Sequence, residues 1–257
     1  MSFDIPALIG RSTLNRIQVL GQSTIFLVIA FIQAFLPPFR IIRLLKEIEF
    51  IGSKSFLIVA VTGLFTGMVL GLQGYHTLTQ FGAEALLGSA VALSIIRELG
   101  PVLCALMVTG RAGSAIAAQI GIMKITDQFP ALEMMAIDPV KYVISPKIIA
   151  GIISLPLLTA VFDVIGIMGG YLVGVKLLGV NEGAYFGKMV SAVTFTDIYG
   201  GILKSLSFGL LIAWIPSFMG FMAEPTTEGV STATTNAVVL TSLSILIVDY
   251  ILTSLLL

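Results

Sequence analysis

The sequence predicts an all-α membrane protein with about five transmembrane helices, an N-terminal interfacial helix and a short cytoplasmic helix between two spans. Three observations lead to this fold class. Hydrophobic residues other than glycine make up 57% of the 257 residues, and only 11% are charged, against roughly a quarter in soluble domains. The apolar residues form runs of about 20, the length that crosses a bilayer. Glycines recur every four residues in two of these runs, which is typical of closely packed membrane helices.

Residues 1–54 are predicted to form a cytoplasmic and interfacial region. An apolar run at 25–39 is interrupted by Gln33 and ended by two prolines at 37–38. This run is 15 residues long, which is short for a span. An elbow helix lying along the bilayer is therefore the favoured interpretation, with a full span as the alternative. No cleavage site follows the run in a signal-like position, so we expect no cleaved signal peptide.

The first predicted span, 55–75, contains no charged residue. Gly63, Gly67 and Gly71 lie four residues apart along it, so another helix backbone could approach closely. The alternative is that the glycines have no special contact, since membrane helices are often rich in glycine.

The second predicted span, 86–110, is apolar except for Arg97 and Glu98 near its middle. The polar segment 111–147 follows it as the main predicted aqueous loop. Within this loop, a short amphipathic helix is expected around 126–136, because Pro130 lies in the segment and Pro139 and Pro146 end any helix that precedes them.

The third predicted span, 148–175, contains Asp163 and repeats the four-residue glycine spacing at Gly166, Gly170 and Gly174. It is therefore also expected to pack closely against another helix.

Two further spans complete the predicted membrane domain, 55–257. A loop at 176–197 is followed by a fourth span at 198–219, which carries Lys204, and a fifth at 237–257, which carries Asp249. The basic residues favour a cytoplasmic N-terminus, because six Lys or Arg lie in the first 54 residues and three Lys lie in the loop between spans two and three. Alternation of the spans would place the loop at 220–236 in the cytoplasm, but that loop has no base and only Glu224 and Glu228, so it adds no support to this orientation.

Five ionisable side chains inside the predicted spans form a candidate charge network: Arg97, Glu98, Asp163, Lys204 and Asp249. Arg97 and Glu98 point about 100° apart on a helix, so each is expected to have another partner. Counted from the span ends, Lys204 and Asp249 lie at compatible depths, while the other three lie near mid-depth. The network either fixes helix packing through ion pairs or lines a cavity for the head group of an amphiphile.

Composition and motifs exclude several kinds of function. Fourteen basic and fourteen acidic side chains cancel, so the excess positive charge typical of nucleic-acid binding is missing. A single cysteine, Cys104, and a single histidine, His76, cannot build a disulfide scaffold or a Cys/His metal site. The chain has no GxxxxGK[ST], GxSxG or HExxH motif, so we expect neither an ATPase nor a hydrolase site in it.

Four stretches of the chain resemble the MlaE (YrbE) permease family: GMVLGLQGY at 67–75, RELGPV at 97–102, the long segment at 110–139 and ISPKIIAGIISLPLL at 144–158. The resemblance implies the permease subunit of an MCE-type ABC transporter that moves phospholipid between the inner and outer membranes of a diderm bacterium. It also implies a homodimer, two cytoplasmic ATPase subunits that bind ATP and Mg, a periplasmic ring of MCE proteins and, in some systems, a STAS-domain subunit. No cofactor is expected in this chain.

The resemblance also assigns roles to residues. The segment at about 124–141 matches the family's cytoplasmic coupling element, which contacts the ATPase through Asp127, Gln128, Ala131, Leu132, Glu133, Met134 and Asp138. Phe129 and Pro130 depart from the family pattern and leave the start of the coupling helix in doubt. Arg97 and Glu98 match the family's charged pair within the membrane.

We place the candidate lipid site between two protomers, with Val69, Leu70 and Leu78 as its apolar wall and Arg97 and Glu98 as its polar end. Gly67 and Gly170, central in their glycine series, are predicted to form the dimer contact. A self-contained secondary transporter, with the charges as an ion relay, is the alternative function. A non-transporting scaffold is a third interpretation.

Overall fold

The computed structural model describes residues 5–37 and 40–256, and within these residues the chain is helical with no β-strand. The α-helices are α1 (Ile5–Ala34), α2 (Ile41–Ile51), α3 (Phe56–Thr79), α4 (Leu87–Ser94), α5 (Gly100–Val108), α6 (Ser114–Ile125), α7 (Gln128–Met134), α8 (Ser145–Tyr171), α9 (Glu182–Ala192), α10 (Phe195–Met222) and α11 (Thr227–Leu256). The predicted all-α membrane class is confirmed.

Six helical segments among the described residues are long and apolar enough to cross a membrane: Ile17–Ala34, Ile41–Thr79, Glu84–Ile125, Val140–Leu177, Phe195–Met222 and Thr227–Leu256. Five of them contain the five predicted spans, except that the last residue of the fifth, 257, lies outside the described part of the chain. The sixth is the N-terminal helix.

The N-terminal helix is longer than predicted. α1 has 30 residues where the sequence predicted a short helix at 25–39, whose last two residues lie outside the described part of the chain. The prediction followed the apolar run alone, which starts at Ile25, whereas the helix extends back through polar residues such as Gln18 and Gln22. Glutamine has good helix propensity, so these residues do not end a helix. The length of α1 therefore gives no argument against a full span.

α1 packs against α8 and α10. The indole N–H of Trp214 on α10 donates a hydrogen bond to the Ser23 carbonyl at 3.0 Å. Phe26 lies against two further aromatic rings of α10, with centroids 5.7 Å from Phe218 and 5.5 Å from Phe221. α1 is thus fixed to the bundle along one face, while most of its described side chains are exposed.

The second predicted span continues well past residue 110. α4, α5 and α6 follow one another without a loop and are joined by two π-turns, Ile95–Leu99 and Thr109–Gly113. The prediction of an aqueous loop from residue 111 was wrong, because Arg111 does not face water alone. Its guanidinium donates a hydrogen bond to the Phe50 carbonyl of α2 and lies over the Phe50 ring. The charged group therefore has partners inside the bundle.

α8 is the central helix of the bundle, since it contacts α3, α10, α2 and α5. Its contact with α3 consists of paired small residues. A Cβ on Gly67 would overlap the Gly166 backbone, and one on Gly71 would lie 3.0 Å from the Gly170 carbonyl oxygen. Gly63 makes a similar contact with the backbone and ring of Phe162, and Gly174 lies against the side chain of Leu87 in α4.

These contacts correct the predicted dimer interface. Gly67 and Gly170 are both buried between α3 and α8 of one chain, so neither is available to a second protomer. The four-residue spacing indicated close helix packing, but it carried no information on whether the partner helix belonged to the same chain. Gly151 of α8 and Gly209 of α10 also lie in close contact, although neither belongs to a series of glycines four residues apart.

α11 begins at Thr227, ten residues before the predicted start of the fifth span at 237. The predicted loop at 220–236 was therefore too long. Serine and threonine side chains in this stretch bond back to the helix itself: Thr234 donates to the Val230 carbonyl at 2.8 Å and Thr235 to the Ser231 carbonyl at 3.1 Å. Such bonds satisfy the hydroxyls without ending the helix.

Candidate functional site

A cluster of charged residues lies toward the end of the bundle where α10 begins and α11 ends. We call it the charged cluster, and its members are Arg97, Glu98, Asp197, Lys204 and Asp249. Arg97 and Glu98 come from the π-turn between α4 and α5, Asp197 and Lys204 from α10, and Asp249 from α11. Three helical segments therefore meet at this site.

Lys204 is the buried centre of the charged cluster, with 3% of its side chain exposed. Its ammonium donates to the carboxylate of Glu98 at 2.5 Å, the Arg97 carbonyl at 2.9 Å and the Thr253 hydroxyl at 2.8 Å. Asp249 lies 3.2 Å from the same nitrogen. Because an ammonium has three donors, charge attraction rather than a further hydrogen bond holds Asp249, whose Oδ1 has no hydrogen-bond partner among the described residues.

Arg97 and Glu98 have different partners, as their helical spacing predicted. Glu98 pairs with Lys204, whereas the Nε of Arg97 donates to Asp197 at 2.6 Å. Asp197 lies two residues after the first residue of α10. Arg97 is therefore nearer to the end of the bundle than the mid-depth position predicted for it.

Asp197 was not among the residues predicted from the sequence. Its carboxylate accepts hydrogen bonds from the backbone N–H and the hydroxyl of Thr194, both at 2.8 Å, and so caps α10. Thr194 and Asp197 have the spacing of a capping box with aspartate in place of glutamate or glutamine. That pattern could have revealed both the start of α10 and a fixed carboxylate within reach of an arginine.

Asp163 does not belong to the charged cluster, so this part of the prediction was wrong. It lies on α8 against Gly100, and its Oδ1 is buried with no hydrogen-bond partner among the described residues. The prediction used depth alone. Depth does not determine the direction in which a side chain leaves its helix, and Asp163 points at the start of α5 instead of at Lys204.

A cavity of about 300 Å³ opens beside the charged cluster, which is at the small end of ligand pockets. Its lining residues include Arg97, Glu98, Asp197, Tyr199, Lys204, Thr253 and Leu256. None of the predicted apolar wall lines it: Val69 is exposed on α3, and Leu70 and Leu78 are half-buried there. The single chain thus brings the polar candidates together but leaves the apolar candidates elsewhere.

Charge counting limits what the charged cluster can hold. If all five members are ionised, two cations and three carboxylates leave a net charge of −1. Arg97 uses its Nε for Asp197, while its side chain is 46% exposed and its terminal nitrogens have no partner among the described residues. These nitrogens are the groups in the cluster that remain able to donate to an anion.

The predicted coupling segment forms a short exposed helix at the opposite end of α8 from α9. α7 covers Gln128–Met134, within the predicted 126–136. Pro130 is its third residue, a position at which the missing N–H breaks no helical hydrogen bond, and this resolves where the helix starts. Phe129 and Leu132 are buried and anchor α7 to the bundle.

The outward face of α7 carries most of the predicted coupling residues. Met134 is 83% exposed, and Asp127, Gln128 and Glu133 are also exposed. Asp138, beyond α7, accepts a hydrogen bond of 2.5 Å from the Gln33 side chain of α1. Ala131 and the buried Leu132 face the bundle more than solvent.

A second ionic contact, which was not predicted from the sequence, lies near the start of α8. Lys147 is fully buried and donates to Glu47 of α2 and to Gln119 of α6, both at 2.8 Å. Sequence reasoning placed Lys147 in an aqueous loop, and nothing in the pattern around Glu47 indicates a partner 100 residues away.

α9 closes the bundle at the other end of α8. Tyr185 is fully buried, and its hydroxyl donates to the Ile167 carbonyl at 3.1 Å. Burial raises the pKa of Tyr185 from 10.0 to about 12. Asn181 caps α9 by accepting from the Ala184 N–H at 3.0 Å, which fixes the turn that brings this helix back over α4 and α8.

Comparison with known proteins identifies the family. The family model for the permease MlaE matches residues 44–255. The "Intermembrane phospholipid transport system permease protein MlaE" of Haemophilus influenzae is 50% identical over 82% of this chain and 81% of its own length. A probable ABC transporter permease protein of Rickettsia typhi is 41% identical over 100% of this chain and 99% of its own. One from Synechocystis is 35% identical over 81% and 79%. The chain, a multi-pass membrane protein by its helices, therefore belongs to the MlaE permease family.

Proposed function

We propose that this chain is the membrane-spanning subunit of an ABC transporter that moves phospholipid between the inner and outer membranes and so maintains the lipid asymmetry of the outer membrane. The observation that carries the proposal is 50% identity, over four fifths of both chains, to a protein named for intermembrane phospholipid transport. The exposed α7 and the cavity beside Arg97 support it, because such a subunit needs a contact for an ATPase and a place for a lipid head group.

In this proposal the chain is not itself an enzyme, and ATP and Mg bind to a partner ATPase. A homodimer of the chain carries two cytoplasmic ATPase subunits against α7, a periplasmic ring of MCE proteins at the opposite end, and a STAS-domain subunit in systems that have one. It does not bind nucleic acid. The chain sits in the bacterial inner membrane with its N-terminus in the cytoplasm.

Arg97 is the proposed contact for the lipid phosphate, because a guanidinium with free terminal nitrogens presents a planar pair of donors. Glu98 would orient the site through Lys204, and Val69, Leu70 and Leu78 would meet the acyl chains across the dimer. Photocrosslinking to radiolabelled phospholipid from positions 70, 78 and 97 tests this arrangement. Leu57, which is 72% exposed, is the control for contact with bulk lipid. Labelling at position 57 alone would place the cargo elsewhere.

Orientation can be tested because the single cysteine, Cys104, is buried. Thr126→Cys beside α7 and Asn181→Cys before α9 are exposed positions at opposite ends of α8. A membrane-impermeant maleimide should label the Asn181 variant in intact spheroplasts and the Thr126 variant in inverted inner-membrane vesicles. The reverse pattern would overturn the proposed cytoplasmic position of α7.

Reconstitution separates the proposed function from a secondary transporter. Proteoliposomes containing the chain with its co-purified ATPase should release labelled phospholipid to an acceptor when ATP is added. Liposomes with the chain alone should release none under a proton or sodium gradient. Gradient-driven transfer without an ATPase would instead show a secondary transporter. Absence of any lipid in the purified complex and of any transfer would show a scaffold.

A further inference from the structure

A wide groove lies at the end of the bundle that carries α7, far from the charged cluster. Its cavity measures about 1140 Å³ and lies between α2, α6 and the π-helical turn Val140–Ile144 that precedes α8. We call it the basic groove, and its charged and aromatic lining residues are Arg40, Arg43, Lys46, Glu47, Glu49, Phe50, Lys54 and Tyr142.

The basic groove carries more positive charge than the described acids around it neutralise. Among the described residues, no carboxylate oxygen lies within 4 Å of the four basic side chains that line it. Glu47 is already paired with the buried Lys147, which leaves Glu49 as the remaining acid. With Lys147 included, five cations and two carboxylates give a net charge of +3. The charged cluster, by contrast, sums to −1.

Two guanidinium groups converge on one ring in this groove. Arg40 lies 4.2 Å and Arg43 3.8 Å from the centroid of the Tyr142 ring. Like charges held together without an acid are unfavourable unless something of opposite charge joins them. Guanidiniums stacked on a ring still present their N–H edges outward, in the fork that matches phosphate oxygens.

Apolar side chains border the same groove on α2. Ile41 is 64% exposed, Ile42 75% and Leu45 58%, so the helix offers a hydrocarbon surface directly beside its arginines. A soluble anion such as phosphate would leave this surface in water. A phospholipid would place its phosphate on the arginines and its acyl chains along the isoleucines.

We propose that the basic groove binds the phosphate of an anionic phospholipid in the leaflet that borders the α7 end of the bundle. Arg40 and Arg43 hold the phosphate, Tyr142 holds the two guanidiniums in place, and Ile41 and Ile42 contact the acyl chains. The site is distinct from the charged cluster and from the proposed transport route, and it requires only that this end of the bundle lies at a membrane surface.

The test is lipid binding by the purified full chain in detergent, measured by native mass spectrometry with phosphatidylglycerol or phosphatidylcholine added. Wild-type protein should retain phosphatidylglycerol in preference to phosphatidylcholine. Arg40→Gln/Arg43→Gln should lower the retained phosphatidylglycerol by about tenfold, because each charge-assisted pair contributes to affinity. The matched control, Lys176→Gln/Lys188→Gln, removes two exposed cations at the other end of α8 and should leave retention unchanged.

Further variants separate the contributions of charge, guanidinium geometry and the Tyr142 ring to lipid binding. Arg40→Lys/Arg43→Lys keeps the charge but loses the fork, and should give an intermediate loss, while Tyr142→Leu should weaken binding without changing net charge. Inorganic phosphate at millimolar concentration should compete only weakly. Equal retention of both lipids by wild-type protein, or full displacement by phosphate alone, would overturn the assignment to a lipid. Gel filtration of each variant shows that it is folded, and lipid transfer activity is a separate measurement that does not decide this binding result.

Discussion

Gly67 and Gly166 bring the backbones of α3 and α8 into direct contact, because a Cβ on Gly67 would overlap the Gly166 carbonyl. The contact lies within one chain and between its first predicted span and its central helix. It therefore contributes to the stability of the protomer itself.

Gly67→Ala should destabilise the protein by about 1–3 kcal/mol, since one added methyl has no room and the helices must separate. Thermal unfolding in detergent measures the loss. Gly110→Ala is the control, because Gly110 also lies in a helical turn but is exposed, and a Cβ there has nothing within 4 Å. Equal melting temperatures for the two variants would show that α3 and α8 are less tightly packed than described.

Lys204→Met should destabilise the protein by about 3–5 kcal/mol, the range for removing one partner of a buried ion pair. The cost arises because Glu98 and Asp249 lose their shared cation. Adding Glu98→Gln and Asp249→Asn to Lys204→Met should restore much of the stability, as no unpaired charge then remains. A triple variant no more stable than Lys204→Met would mean that Lys204 contributes mainly through packing.

The Arg97–Asp197 pair should contribute less to stability than the pairs of Lys204, because the Arg97 side chain is 46% exposed and solvent screens its charge. A double-mutant cycle with Arg97→Ala and Asp197→Asn should give a coupling energy of about 0.5–1 kcal/mol in unfolding experiments. Arg97→Ala should nevertheless strongly reduce phospholipid co-purification. Loss of stability with normal lipid content would identify Arg97 as a structural residue.

Glu133→Lys on α7 should uncouple ATP hydrolysis from lipid movement, or release the ATPase, while the protein still inserts and folds. The reason is that an exposed acid in the proposed contact becomes a cation. Glu182→Lys, a change of the same size and charge on the exposed start of α9 at the other end of α8, is the control. Normal ATPase association and lipid transport in the Glu133 variant would exclude this face of α7 from the contact.

Stability should fall at high pH through Tyr185, whose pKa burial raises to about 12. Its unfolded pKa is near 10, so the folded state resists deprotonation that the unfolded chain undergoes. The stabilising contribution is complete below pH 10 and is lost between pH 10 and 12, at up to about 1.4 kcal/mol per pH unit. Tyr185→Phe should show a smaller decline over this interval. Identical pH profiles for the two proteins would assign the alkaline loss to other groups.

Hydrophobic runs and glycine spacing predicted the fold class and the five main spans, because these features act locally along each helix. Boundaries were less predictable. Arg111 looked like the start of a loop but bonds to the Phe50 carbonyl, and the threonine-rich start of α11 bonds to its own backbone. In both cases the polar group is satisfied by a partner that hydropathy does not reveal.

The charged cluster was only partly predictable. Helical spacing indicated that Arg97 and Glu98 have separate partners, and depth matched Lys204 to Asp249. The same depth argument assigned Asp163 to the cluster, although its side chain points elsewhere. Depth cannot give this direction, because packing sets the rotation of each helix about its axis. Asp197 lay just outside the predicted span and was omitted for that reason, although its capping spacing to Thr194 is visible in the sequence.

The bond between Trp214 and Ser23 gives the protein a natural optical reporter. Trp214 is the single tryptophan of the chain, and its indole is held against α1 by the Ser23 carbonyl. Its emission therefore comes from one site, the seam between the N-terminal helix and α10. A movement that parts these helices would change the wavelength and polarisation of that emission, so the docking of α1 can be followed in unlabelled protein.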